Sequence, residues 1–256
     1  MITTETDGPV AVVILDRPEA RNALTGAMVR SMSEAYAGFD ADDAVRVVVL
    51  TGRDPAFCAG LDLTDLARTY DQVADPDASR GEHRPVGFPR PDKPLIGAVN
   101  GPAVTGGLEL ALGCDFLIAS ERATFADTHA RVGVMPAGGL TIRLPQLIGI
   151  NRARQMSLTG DFVDAGRAGA WGLVNEVVPH ASLLGRALAL ARAVAEIDPA
   201  AVSEIRSMYA ALAFRYDDEA GADEARWSRR WMRGHFDAEA LAARRSGIIE
   251  RGSAQQ

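Results

Sequence analysis

The chain has 256 residues, of which 47% are hydrophobic and 24% charged; these are ordinary globular values, which exclude disordered and fibrous classes and allow a substantial buried core. With 27 basic against 34 acidic residues, a net charge of −7, the surface offers no general footprint for nucleic acid, and any anionic ligand must be held locally. Two cysteines, Cys58 and Cys114, stand at no metal-ligand spacing, which points to a reducing cytoplasm and to no metal site.

The N-terminus reads MITTETDGPVAVVILDRP, without the basic start and long apolar core of a signal peptide. No stretch reaches the roughly 18 to 20 apolar residues that a membrane span needs. Residues 10–15 and 45–50 are β-branched runs closed by turn residues and read as buried strands. Between them Met28, Met32, Ala35 and Phe39 recur at helical steps, which predicts an amphipathic helix over 25–39. After Pro94 a third strand is predicted at 95–99, then a turn, NGPAV, a short helix at 106–113 and a fourth strand at 116–119. Apolar strands alternating with helices argue for an α/β layered core.

Residues 68–91 interrupt this with Pro, Gly, Asp and Arg and read either as a mobile loop beside a site or as a plain insertion. Past Pro136 the chain turns mainly helical, at 141–148, 151–158, 164–171 and 181–197, with one short strand at 174–178 and two closing helices. We divide it into a core carrying the ligand site, residues 1–195, and a C-terminal helical oligomerisation region, residues 196–256.

Two glycine turns could carry chemistry. In TGGLELALGCD, Gly106 and Gly107 open a helix that sets Glu109 among apolar neighbours. Unpaired N–H groups at a helix start welcome anionic oxygen, although a tight turn followed by a structurally paired Glu fits the residues equally. In FCAGLDL, Gly60 follows the second strand, and its backbone N–H groups could face the same cavity; two amides converging on one oxygen form an oxyanion hole. The alternative is an ordinary loop. Cys58 beside it has no base nearby in sequence and reads as a packed side chain. His83, His180 and His235 read as structural, and the dinucleotide and phosphate-loop patterns are absent.

RPEARNAL (17–24), AFCAGLDL (56–63), KPLIGAVNGPAVTGGLELALGCDFLIAS (93–120) and ATFADTHARVGVMPAGG (123–139), in this order and spacing, resemble the enoyl-CoA hydratase/isomerase or crotonase superfamily. The resemblance implies an α/β spiral of repeated strand-strand-helix turns with a C-terminal helical trimerisation region, assembled as a homotrimer or a dimer of trimers. It implies an acyl-CoA thioester whose carbonyl oxygen sits between the N–H groups of Leu61 and Gly106. Arg21, Ala23, Ala59, Gly60, Leu63 and Gly107 are then the further substrate-binding positions, and CoA enters as part of the substrate, with no separate cofactor. One family Glu matches Glu109. The second falls on His129, a departure from the two-carboxylate pattern, and Asp127, two residues away, need not point the same way.

Imidazole, about a quarter protonated at pH 7, can exchange a proton in either form. The implied reaction is therefore hydration of a trans-2-enoyl-CoA to a 3-hydroxyacyl-CoA, with Glu109 and His129 as the catalytic pair. Isomerisation, thioester hydrolysis and noncatalytic acyl-CoA binding are the alternatives, the last prompted by the missing carboxylate; a purely structural subunit is a further reading. The acyl chamber is expected around residues 70–88 and 132–140.

Overall fold

The computed structural model describes residues 1–73, 88–213, 217–237, 239, 240, 244 and 247. Most of the predicted loop, residues 74–87, and with it His83, lies outside the described residues. Nine strands and ten helices follow one another among those described: β1 (Ile2–Asp7), β2 (Val10–Leu15), α1 (Gly26–Ala41), β3 (Val47–Gly52), α2 (Leu63–Val73), β4 (Leu95–Val99), β5 (Ala103–Val104), α3 (Gly106–Leu112), β6 (Phe116–Ser120), β7 (Thr124–Ala126), α4 (His129–Val132), α5 (Leu140–Ile148), α6 (Ile150–Thr159), β8 (Val163–Asp164), α7 (Ala165–Trp171), β9 (Glu176–Val178), α8 (Leu183–Ala195), α9 (Pro199–Ala213) and α10 (Asp217–His235).

The large sheet has the order β1-β2-β3-β4-β6-β9, and a small one the order β5-β7-β8. From β2 to β9 the large sheet is parallel, with β1 antiparallel at its edge. Parallel strands are covered on both faces, and the apolar runs show why. On β2 and β3, Ala11, Val13, Leu15, Val48 and Leu50 enter the core that holds Met28, Met32 and Tyr36 of α1. Their alternates Val10, Val12, Ile14, Val47 and Val49 pack against Leu183, Ala187 and Ala191 of α8. The chain then repeats one unit: a large-sheet strand, a step into the small sheet, a helix. Units β4–β5–α3 and β6–β7–α4 follow this order, and β3 leads to α2 through Cys58, which bridges Ala103. This is the spiral of strand-strand-helix turns.

The structure adds strands that periodicity does not reveal. Most of β1 is polar and partly exposed, ITTETD; it is held by its ladder with β2, from Ile2↔Leu15 to Asp7↔Val10. The strand predicted at 174–178 is shorter, Glu176–Val178. Leu173 and Val174 are buried in the turn before it. No described helix is long and apolar enough to cross a membrane.

Candidate active site

A cavity of about 550 Å³ opens where the small sheet meets the starts of α3 and α4, under α10. Arg21, Ala23, Ala59, Leu61, Leu63, Gly106, Glu109 and His129 all line it, so eight of the residues singled out in the sequence come together. Val132, Val134, Met135, Ala137 and Gly138 supply part of its wall, with Phe88, in agreement with the chamber expected around 132–140. Gly60 and Gly107 are not among the residues that line the cavity. A Cβ on Gly107 would lie 2.0 Å from the Cys58 carbonyl oxygen, so this glycine permits α3 to pack on the small sheet. Gly60 has φ +98°, and a Cβ there would sit 3.0 Å from the Val104 carbonyl oxygen, which makes it the turn that only glycine takes easily.

The segment at 17–24 is built around Asn22, which is fully buried at φ +56°, a region Asn tolerates better than most residues. Its Oδ1 accepts from the Arg17 amide at 2.9 Å, and its Nδ2 donates to the carbonyls of Arg53 (2.8 Å) and Ala56 (2.7 Å). The stretch then zips onto the glycine turn: Ala59 N–H donates to Arg21 at 3.0 Å, Leu24 N–H to Gly60 at 2.7 Å and Asp62 N–H to Leu24 at 2.8 Å. That pairing leaves the Leu61 N–H pointing away from the ladder, and a Cβ on Gly106 would be only 3.4 Å from it. Among the described residues, neither the Leu61 nor the Gly106 N–H has a backbone acceptor.

Thr105, before Gly106, is a residue that sequence reasoning passed over. It has φ +55°, an outlier for a β-branched side chain. Its amide donates to Ala126 at 2.8 Å and its hydroxyl shares a 2.5 Å hydrogen bond with that of Thr128. These contacts impose the backbone turn that aims Gly106 at the cavity.

All seven residues of α3 are buried, Glu109 included. Its Oε1 accepts from Gly138 N–H at 2.7 Å and Ala137 N–H at 3.2 Å, while Oε2 lies 3.7 Å from His129 Nε2. Burial pushes the carboxyl above its ordinary value of 4.5, against the opposing pull of His129 and the Gly138 amide. Asp127 points the same way, which its spacing leaves open: its Oδ1 takes the His129 side chain at Nδ1, 2.6 Å away, and the His129 amide at 3.1 Å. The reason is the side-chain turn that Asp127 closes on the amide two residues on, between the end of β7 and the start of α4. Burial opposes charge on this imidazole, but the Asp127 hydrogen bond, then the charges of Glu109 and Asp127, win and raise it above 6.5. Asp127 is lowered, because the His129 hydrogen bond and charge outweigh its own burial. The arrangement is a carboxylate-oriented imidazole whose outer nitrogen faces a second, proton-hungry carboxylate.

Cys58 is buried with its thiol pushed up to about 12 by desolvation, as a packed side chain should be. His180 bonds Ser120 Oγ and Asp54 Oδ2, each at 3.0 Å, and His235 stacks on Trp231. The cavity does not stop at residue 195: Ala225, Ser228, Arg229 and Met232 of α10 line it too.

Residues 5–229 match the family model described as enoyl-CoA hydratase/isomerase. The chain belongs to this family. Among solved structures, an enoyl-CoA hydratase from Mycobacterium avium superposes with a TM-score of 0.81 and 45% identity, covering 91% of this chain and 97% of that one. A probable peroxisomal enoyl-CoA hydratase of Arabidopsis thaliana is 41% identical over 78% of this chain and 75% of its own length. A carnitinyl-CoA dehydratase of Salmonella agona is 37% identical over 80% of this chain and 78% of its own. In this member of the enoyl-CoA hydratase/isomerase family Glu109 and His129 meet at the cavity wall, with the buried Asp127 behind His129.

Proposed function

We propose that the protein adds water to a trans-2-enoyl-CoA to give a 3-hydroxyacyl-CoA, or runs the reverse. The observation that carries this reading is the pair Glu109 and His129, 3.7 Å apart, beside the Leu61 and Gly106 amides, which have no backbone acceptor among the described residues. A water about 2.8 Å from both Oε2 and Nε2 is a good hydrogen-bond partner to each and fits over that gap. The thioester oxygen lies between the Leu61 and Gly106 amides, an oxyanion hole that stabilises the enolate. Glu109 accepts a water proton as the oxygen bonds to C3, and the imidazolium of His129 supplies a proton to C2. Glu109 then returns its proton to Nε2, so both groups end as they began. Asp127 holds His129 in the tautomer with Nε2 turned to the water.

Arg21, Ala23, Ala59 and Leu63 guide the CoA portion, which arrives with the substrate; no further cofactor takes part. Ile205, Met208 and Tyr209 on α9 are apolar and exposed, which supports the assembly of copies into trimers through the region after residue 195. The unpaired Cys58 and Cys114 suit a cytoplasmic location.

A second reading, thioester hydrolysis, is favoured by the Asp127–His129 hydrogen bond alone, since an oriented imidazole can equally protonate a leaving thiolate. Crotonyl-CoA separates the two. Hydration removes the conjugated enoyl absorbance without releasing thiol, and hydrolysis releases free CoA. Glu109→Gln should lower hydration at least 100-fold, in line with the loss of a general base; a wild-type rate in that variant overturns the assignment.

A further inference from the structure

Helix α10 carries a stripe of polar side chains at steps of four and three, Glu224, Ser228 and Trp231, which lie on one helical face. This face follows the segment after α4. Trp231 Nε1 donates to the Gly133 carbonyl at 3.4 Å, and Ser228 Oγ to that of Met135 at 3.1 Å. Glu224 closes the series: its Oε2 accepts from Gly139 N–H at 2.7 Å, and its Oε1 from Thr141 N–H at 2.8 Å and from the Thr141 hydroxyl. The carboxylate is 8% exposed and saturated with donors from one turn of chain.

Between the anchors at Met135 and Gly139 lie Pro136 and then Ala137 and Gly138, whose amides hold the Glu109 carboxylate. Adjacent peptides of one tight segment thus grip two buried carboxylates, Glu109 from α3 and Glu224 from α10. A buried anion satisfied by backbone N–H groups fixes those groups in turn. We infer that Glu224 is a positioning residue for the reaction: it sets the 137–139 turn, and through it the place and proton affinity of Glu109. The inference rests on the hydratase reading for its kinetic consequence, though the clamp itself does not. The charged side chains facing Glu109 are His129 from α4, Asp127 beyond β7 and Glu224 from α10. Arg143 of α5 stands on the far side of the turn, its guanidinium 3.6 Å from where a Gly139 Cβ would be. Glu224 reinforces the burial that raises Glu109.

The test is Glu224→Gln, which keeps the shape but turns an amide N–H₂ against one of the backbone donors. Its kcat on crotonyl-CoA should fall roughly 10- to 100-fold, the scale set by sub-ångström misplacement of a reacting group, with KM within about twofold because the CoA-facing residues lie on other segments. The acid limb of the kcat profile should move to lower pH, since a negative neighbour of Glu109 has been removed. Amide hydrogen exchange over residues 136–141 should quicken, and exchange in the large sheet should not. If kcat, acid limb and local exchange all stay at wild-type values, the inference is wrong; it is equally wrong if kcat and KM worsen together with exchange quickening throughout the protein. Should wild type turn over no enoyl-CoA while the variant still loosens 136–141 alone, the hydratase reading fails and the clamp stands.

Discussion

Gly138→Ala separates the demands of the fold from those of the chemistry. A Cβ built on Gly138 lies 2.7 Å from Glu109 Cδ and 2.8 Å from Oε2. Ordinary carbon contacts need about 3.5 Å, so the carboxylate must retreat by roughly 0.8 Å. For the fold the cost is that of ordinary overpacking, about 1–3 kcal/mol, because the Glu109 Cβ, 3.0 Å away, must give as well. For catalysis it breaks the distance to His129 Nε2 and the grip of the Ala137 and Gly138 amides. A misplacement near 1 Å costs about 100-fold in rate, or about 2.7 kcal/mol of transition-state stabilisation. The loss should fall on kcat and leave KM nearly unchanged, because Arg21, Ala23 and Ala59 lie across the cavity. The assay follows the decay of enoyl absorbance with crotonyl-CoA, alongside thermal unfolding to establish that the variant is folded. A folded variant with kcat within threefold of wild type would refute the claim that Glu109 must sit where this turn puts it.

The pH dependence of kcat should be bell-shaped, rising as Glu109 ionises above its ordinary 4.5 and falling as His129 loses its proton above its ordinary 6.5, with both apparent values belonging to the coupled pair; His129→Gln should abolish the falling limb. Asp127→Asn should destabilise by about 3 kcal/mol, the scale for breaking a buried pair. The raised His129 contributes stability fully below 6.5 and loses it as pH rises through its folded value, whereas the lowered Asp127 contributes above 3.8 and loses it on acidification. Urea unfolding should therefore show the largest deficit between those two values. Asn22→Ala, which removes the side-chain partner of the Arg17 amide and of the Arg53 carbonyl while Ala56 keeps the Asn100 amide, should cost about 2 kcal/mol, measured by the same titration.

The strands buried on both faces announced themselves as unbroken apolar runs, and α1 showed its inner stripe in Met28 and Met32. What escaped was held by partners distant in the chain. The polar β1 exists because β2 offers an unpaired edge, and the two-residue β5 is too short for any periodicity. At the site, the motif residues Leu61, Gly106, Glu109 and His129 could be matched one by one. The Asp127–His129 bond could not, since a two-residue step shares a face in a strand but not in a helix, and Asp127 lies after the end of β7 while His129 opens α4. Glu224 lies 85 residues from the amide it accepts, on a helix whose sequence reads as an ordinary charged surface. A carboxylate recurring at helical spacing with Ser228 and Trp231 was the sole local sign.

The seam joining residues 21–24 to 59–62 makes one wall of the cavity and the Leu61 amide a single mechanical piece. If Arg21 and Ala23 take a ligand's nucleotide tail as proposed, its pressure also tensions the peptide of Leu61. Thioesters clipped to a bare pantetheine arm should consequently forfeit speed as well as grip, because remote binding energy is then no longer spent on steadying the electrophile.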